Sequence, residues 1–116
     1  MEIKLAKTAG FCFGVARAVS TLEKKDSNDK IMTLGPIIHN NSVVDSLRKK
    51  GIDVAAGLSD VPNGYTLAIR THGVPKSLID EAEKSAVPYI DLTCPFVKRI
   101  HEIVYNHHSE GYKIVI

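Results

Sequence analysis

Tyr65-Thr66-Leu67-Ala68-Ile69 runs into Arg70-Thr71-His72-Gly73-Val74-Pro75, a short apolar stretch passing through a polar turn to a helix start. The first five residues have the length and composition of a strand. Pro75 suits the first helical turn, where its fixed φ is an asset and its missing N–H is not needed. The same order recurs on both sides. Residues 89–92 precede Thr93-Cys94-Pro95, and residues 31–34 precede Gly35-Pro36-Ile37-Ile38-His39-Asn40. Residues 3–6 precede Gly10-Phe11-Cys12-Phe13-Gly14. Strands alternating with helices predict an α/β fold, a three-layer parallel-sheet unit with helices on both faces. Open sheets of this kind bind ligands outside the carboxyl ends of their strands. Cys12, His39, His72 and Cys94 each follow a predicted strand, so the fold brings two thiols and two imidazoles to one rim.

The segments between strands read as helices. The first covers 15–25, with Val15, Val19 and Leu22 inward and Asp26-Ser27-Asn28-Asp29 closing it. Asn40-Asn41-Ser42 open the second, which turns Val43, Val44 and Leu47 inward and stops at Gly51. A short strand, 52–55, follows. The third helix begins near Pro75 and uses Leu78, Ile79 and Ala82. The fourth begins at Pro95, carries Phe96, Val97, Ile100, Ile103 and Val104, and ends at Gly111. A last apolar run, 113–116, reads as a strand. Because that run has no turn or polar tail after it, the sequence reads as the front portion of a longer protein.

The 116 residues are enough for one domain with its own core, and 44% apolar with 24% charged residues is ordinary globular composition. Fifteen Lys and Arg against thirteen Asp and Glu leave a net +2, too little to argue for nucleic acid or an anionic membrane. Lys24-Lys25 and Arg48-Lys49-Lys50 fall where helices end, and cations there complement the dipole. No stretch reaches the ~20 apolar residues of a membrane span, and the N-terminus lacks a signal-peptide layout. A cytoplasmic location is expected. Thiols stay reduced there, which disfavours a Cys12–Cys94 disulfide.

Glycines flank Cys12 at a strand-to-helix turn, permitting tight backbone and close approach of a bulky group. Helix N-termini favour the thiolate, which ligates metals or attacks electrophiles. By itself the motif admits a nucleophile, a metal ligand or a buried inert thiol. Cys94, before Pro95, repeats the arrangement. No CxxC pair supports a zinc ribbon or a thioredoxin-type motif, while iron–sulfur ligation by scattered cysteines stays open. His39 and His72 stand near helix starts, whose free N–H groups hold phosphate or diphosphate, and an imidazolium adds charge-assisted donors. With neither GxGxxG nor GxxxxGK[ST] present, a nucleotide is disfavoured. His101, His107 and His108 read as surface residues.

Taken together, GFCFGVARAV, LGPIIHN, RTHGVP and DLTCPFVKRIH, in this order and spacing, resemble the LytB/IspH family of 4-hydroxy-3-methylbut-2-enyl diphosphate reductases. The resemblance covers essentially the whole chain. It implies reductive dehydroxylation of an allylic diphosphate to isopentenyl and dimethylallyl diphosphate, the last step of the non-mevalonate isoprenoid pathway. It also implies a 4Fe–4S cluster held by three cysteines, with Cys12 and Cys94 as the first two, and His39 and His72 on the substrate diphosphate. Ferredoxin or flavodoxin is the implied electron donor. The third cysteine is missing from these residues, as is the family's later His-x-Glu segment, whose glutamate belongs to the proton relay.

The family's three similar α/β units would map onto this chain as residues 1–96, an opening strand plus the first unit, and 97–116, the start of the second. These residues alone are expected neither to hold an intact cluster nor to turn over. Exposed sheet edges and apolar faces are expected to drive association between copies. Two other readings stand beside this one: a non-catalytic α/β module that binds diphosphate through His39 and His72, and a metal-bridged oligomer pooling the thiols of two chains.

Overall fold

The computed structural model describes residues 1–26 and 28–115. Its elements are α1 (Phe13–Glu23), β1 (Ile31–Leu34), α2 (Asn41–Lys49), β2 (Asp53–Ala55), a single 3-10 turn at Leu58–Asp60, β3 (Thr66–Ile69), α3 (Lys76–Lys84), β4 (Tyr89–Asp91) and α4 (Pro95–Ser109). The four strands form one parallel sheet in the order β2-β1-β3-β4. The predicted α/β class holds, and the central strands read as near-continuous apolar runs because both faces are covered.

Register shows how the faces divide. Thr33 pairs with Ala68 and Ala68 with Ile90, so these side chains share one face with Ile31. Ile31 and Ala68 belong to the main core together with Ala18 and Leu22 of α1 and Leu47 of α2, while Ile90 packs at its margin. Leu67, Ile69 and Tyr89 point to the opposite face, where the Tyr89 hydroxyl donates to Glu83 of α3 at 3.0 Å. The connections agree. A right-handed crossover from β1 leftward to β2 and one from β3 rightward to β4 must place α2 and α3 on opposite faces. The chain therefore reverses its winding between β1 and β3. That gap is the topological switch point, where open α/β sheets form their ligand crevice.

Several expectations change. Residues 3–6 are not a strand: no neighbour pairs with them, and Ile3 is 79% exposed. A strand is defined by the ladder it joins, so an apolar run without a partner stays irregular. The same holds for 113–115, which are also irregular, with Val115 95% exposed; Ile116 lies outside the described residues, as does Ser27 of the turn after α1. Helix α1 begins at Phe13 rather than residue 15 and ends at Glu23, so Lys24 caps it and Lys25 lies beyond it. Helix α4 begins at Pro95 as expected, and its apolar residues leave none of the helix buried.

Candidate functional site

His39 and His72 come from loops on the two sides of the switch point. His39 follows β1 through Gly35-Pro36-Ile37-Ile38, and the burial of Ile37 and Ile38 anchors the loop while the imidazole stays exposed. Asn40 then caps α2, its Oδ1 accepting from the Val43 N–H at 3.3 Å, as the sequence predicts. His39 thus immediately precedes a helix start. His72 follows β3, exposed between buried Thr71 and buried Gly73, four residues before α3. The two imidazole centroids lie 5.9 Å apart with the rings tilted 34°. Residues 33 positions apart in sequence form one pair of nitrogen-bearing rings. Their spacing suits two contacts to one polyoxygen anion, with the free N–H groups of the α2 start beside them.

The thiols form a second pair of elements. Cys12 caps α1 and Cys94 caps α4, both from extended backbone, and neither thiol makes a capping hydrogen bond. Both are free, Cys12 exposed and Cys94 half-buried. The two helix starts touch. A methyl on Gly14 would collide with the Sγ and Cβ of Cys94, so only glycine admits this approach, and Phe13 meets Phe96 edge-on with centroids 6.2 Å apart. The close approach read from the glycines around Cys12 is therefore made by the other cysteine. Cys12 does not follow a strand, as the sequence reading expected, but an irregular exposed segment.

Thr71 ties the two pairs together, and sequence reasoning missed it. Its buried Oγ1 donates to the Ile37 carbonyl at 3.1 Å, crossing from the β3 loop to the β1 loop two residues before His39. Its carbonyl accepts from the Cys94 N–H at 2.9 Å. One residue beside His72 thus fixes the His39 loop and the Cys94 turn. The side chain of Arg70 packs against Gly35, whose φ of +67° excludes most other residues, and the Arg70 Nε is buried without a partner. A threonine in a turn carries no sequence signal that separates this role from ordinary polar surface.

Further along α4, Lys98 donates to Asp91 at 2.9 Å, and Asp91 also accepts from the Thr93 N–H at 3.0 Å. Burial pushes the Asp91 carboxyl upward, but the hydrogen bonds from Thr93 and Lys98 outweigh it and hold the group below its ordinary value. The hydrogen bond to Asp91 raises Lys98 in turn. An open groove between α3 and α4 is lined by His72, Gly73, Thr93, Lys98, Ile100 and His101 among others.

Among the described residues, no group of three or more His, Cys, Asp or Glu side chains is arranged to hold a metal ion, and no helix is long and apolar enough to cross a membrane.

Known proteins share this arrangement. The family model of LytB protein matches residues 3–116. The 4-hydroxy-3-methylbut-2-enyl diphosphate reductase of Clostridioides difficile is 43% identical over 120 residues, covering all of this chain and 42% of its own length. The reductase of the same name from a Thermoanaerobacter species is 48% identical over 122 residues, again across all of this chain and 42% of the relative. The chain therefore spans about two-fifths of the length of these curated relatives. A solved structure of (E)-4-hydroxy-3-methyl-but-2-enyl diphosphate reductase, terminal enzyme of the non-mevalonate pathway, superposes on 95% of this chain with a TM-score of 0.77 and 43% identity. It is matched over 40% of its own length. A second, the E-1-hydroxy-2-methyl-but-2-enyl-4-diphosphate reductase of Plasmodium falciparum, superposes on 91% of this chain and 34% of its own, with a TM-score of 0.85 and 34% identity. With the parallel sheet, the paired imidazoles and a match running from residue 3 to residue 116, the chain belongs to the LytB protein family.

Proposed function

We propose that this chain carries the diphosphate-binding histidines and two cluster-binding thiols of a 4-hydroxy-3-methylbut-2-enyl diphosphate reductase. The reaction adds two electrons and two protons to an allylic alcohol diphosphate and releases water, giving isopentenyl or dimethylallyl diphosphate. The observation that carries this reading is the His39–His72 pair, 5.9 Å apart at the switch point. Two imidazoles on rigid loops offer N–H donors to separate oxygens of a diphosphate, and the α2 N-terminus adds backbone donors and a favourable dipole. Holding the anion there orients the rest of the substrate, which converts binding energy into alignment at the reacting carbon.

Cys12 and Cys94 suit an iron–sulfur cluster in kind but not in number. Their thiols are free and stand at two helix starts that touch at Gly14, and iron–sulfur clusters take thiolate ligands. Two thiols are fewer than the three of the family's 4Fe–4S site, and these residues hold no third cysteine. A bound cluster would supply the electrons, from ferredoxin or flavodoxin, and a Lewis-acidic iron for the departing oxygen. The 116 residues alone are inactive in this reading, with 1–96 forming the first α/β unit and 97–116 opening a second. The setting is a cytoplasm that keeps the thiols reduced.

Calorimetric titration with inorganic diphosphate tests the proposal. Affinity weakened about tenfold or more by His39→Ala and by His72→Ala is expected, whereas affinity unchanged by both substitutions would overturn it. Anaerobic incubation with iron and sulfide is expected to leave no stable chromophore. A stable cluster with reductase activity would defeat the inactivity of these residues alone. A non-catalytic diphosphate module is the second reading, resting on the same His39–His72 pair with both thiols purely structural. Diphosphate binding that proceeds undiminished in a Cys12→Ser, Cys94→Ser double variant would favour it.

A further inference from the structure

His72 stands between one residue packed through its side chain and one held by backbone alone. Thr71, before it, is buried and hydrogen-bonded through side chain and backbone. Gly73, after it, has φ of +75° and donates its N–H to the Arg70 carbonyl at 3.0 Å, closing the turn, but it has no side chain with which to hold that turn against its surroundings. A further restraint comes from outside the turn. A methyl placed on Gly73 would lie 3.0 Å from Cε1 of His101, 3.2 Å from Cγ2 of Thr93 and 3.3 Å from Oγ1 of Thr93. The His101 ring edge and Thr93 therefore close over the glycine, and the residue after His72 is buried although His72 itself is exposed.

His101 sits on α4 seven residues after Cys94, with Lys98 between them at spacings of four and three. Such spacing puts all three on one face of a helix. Lys98 fastens that face to Asp91 at the end of β4, and His101 reaches one turn further to Gly73. The sequence places His101 off the apolar stripe and reads it as plain surface. It is exposed overall, but the edge that meets Gly73 is not free.

We infer that His101 is a positioning residue for the diphosphate site: its imidazole, seated on Gly73, fixes the turn that aims His72 at His39 and couples that turn to the helix carrying Cys94. The inference rests on the proposed diphosphate role of the two histidines and extends it to a third that touches neither the anion nor the reacting atoms. Its action is steric. The hydrogen bond to Arg70 closes the turn, and the ring, with Thr93, packs it in place so that His72 keeps one orientation. With the ring removed, Gly73 is uncovered on its groove side and His72 loses its alignment.

The test uses this chain with His101→Ala and His101→Phe, each read by the carbon-bound imidazole proton resonances of His39 and His72 and by inorganic diphosphate affinity. His101→Ala is expected to shift or broaden the His72 resonances and to weaken diphosphate roughly tenfold, about what one hydrogen bond to a charged group contributes. His101→Phe, which keeps a flat ring over Gly73, is expected to restore most of both. In a His72→Ala background, His101→Ala is expected to cost nothing further. Unchanged His72 resonances in His101→Ala overturn the inference, as does a Phe variant no better than Ala. Equal losses with and without His72 also overturn it, because they make His101 a direct anion ligand. Should the unsubstituted chain fail to bind diphosphate, the proposed function fails, and the imidazole resonances alone decide the role of His101.

Discussion

Helices α1 and α4 both begin at a cysteine in extended backbone, and both carry a phenylalanine in the first turn, yet they end in opposite environments. Helix α1 buries Gly14, Ala18, Val19 and Leu22. Helix α4 is four residues longer and buries nothing. Its apolar residues Phe96, Ile100 and Ile103, at spacings of four and three, stay exposed, while Lys98, His101 and the first turn against Phe13 make its contacts. An amphipathic pattern states which face gains from cover, since burial of each large apolar side chain is worth about 1.5–3 kcal/mol. It does not state what supplies the cover. For α1 the sheet and α2 do so; for α4 nothing among the described residues does, and a polar face docks instead.

Core truncation should break this comparison most visibly. Leu22→Ala, at a position 0% exposed, is expected to cost about 2–5 kcal/mol. Ile100→Ala, at 56% exposed, is expected to stay within about 0.5 kcal/mol of the parent. Urea denaturation midpoints measure both. Equal losses would mean that α4 packs in solution as α1 does.

Where the two helices meet, Gly14→Ala drives a methyl into Cys94 and is expected to destabilise by about 1–3 kcal/mol. The loss should shrink in a Cys94→Gly background, since the atoms that a methyl would strike are the sulfur and Cβ of that residue. An unchanged cost would show that the helix starts do not touch.

A smaller effect, about 1–2 kcal/mol, is expected for Thr71→Val, which leaves the Ile37 carbonyl without its donor. Amide exchange should then quicken on both sides, at the His39 loop and at the Cys94 N–H. Faster exchange at only one of them would separate the imidazole pair from the thiol pair.

The smallest effect concerns how α4 is fastened. Asp91 lies below its ordinary value of 3.8 in the folded protein. Its contribution is therefore complete above pH 3.8 and lost as pH falls through the lower folded value. Lys98 is 59% exposed on its side chain, so screening holds the pair below about 1 kcal/mol. Comparing the acid limb of stability for parent and Asp91→Asn measures it. A loss that sets in near neutral pH would assign the acid sensitivity to other groups.

Much of this was readable beforehand where local chemistry and burial agree. Residues 31–34, 53–55, 66–69 and 89–91 form the strands within a residue of their expected bounds, most plainly the two central ones, whose near-complete burial demands continuous apolarity. Asn40 caps α2 as its side chain predicts, and Gly111, with φ of +89°, follows the end of α4. Reading failed at residues 3–6 and 113–115, whose apolar patterns match those of true strands. A ladder needs a partner, and no short window of sequence says whether one is present.

The sequence by itself determined the alternation of strand and helix, the four loops that carry Cys12, His39, His72 and Cys94, and the family to which they belong. Those follow from residue type and spacing along the chain, which is where propensity, capping and apolar periodicity act. Only the tertiary structure decided that His39 and His72 form a pair across the switch point and that Gly14 receives Cys94. It alone decided, too, that Thr71 joins the loops and that His101 rests on Gly73. Each of those contacts links residues more than twenty positions apart, and strand order and crossover hand, not local sequence, bring them within reach.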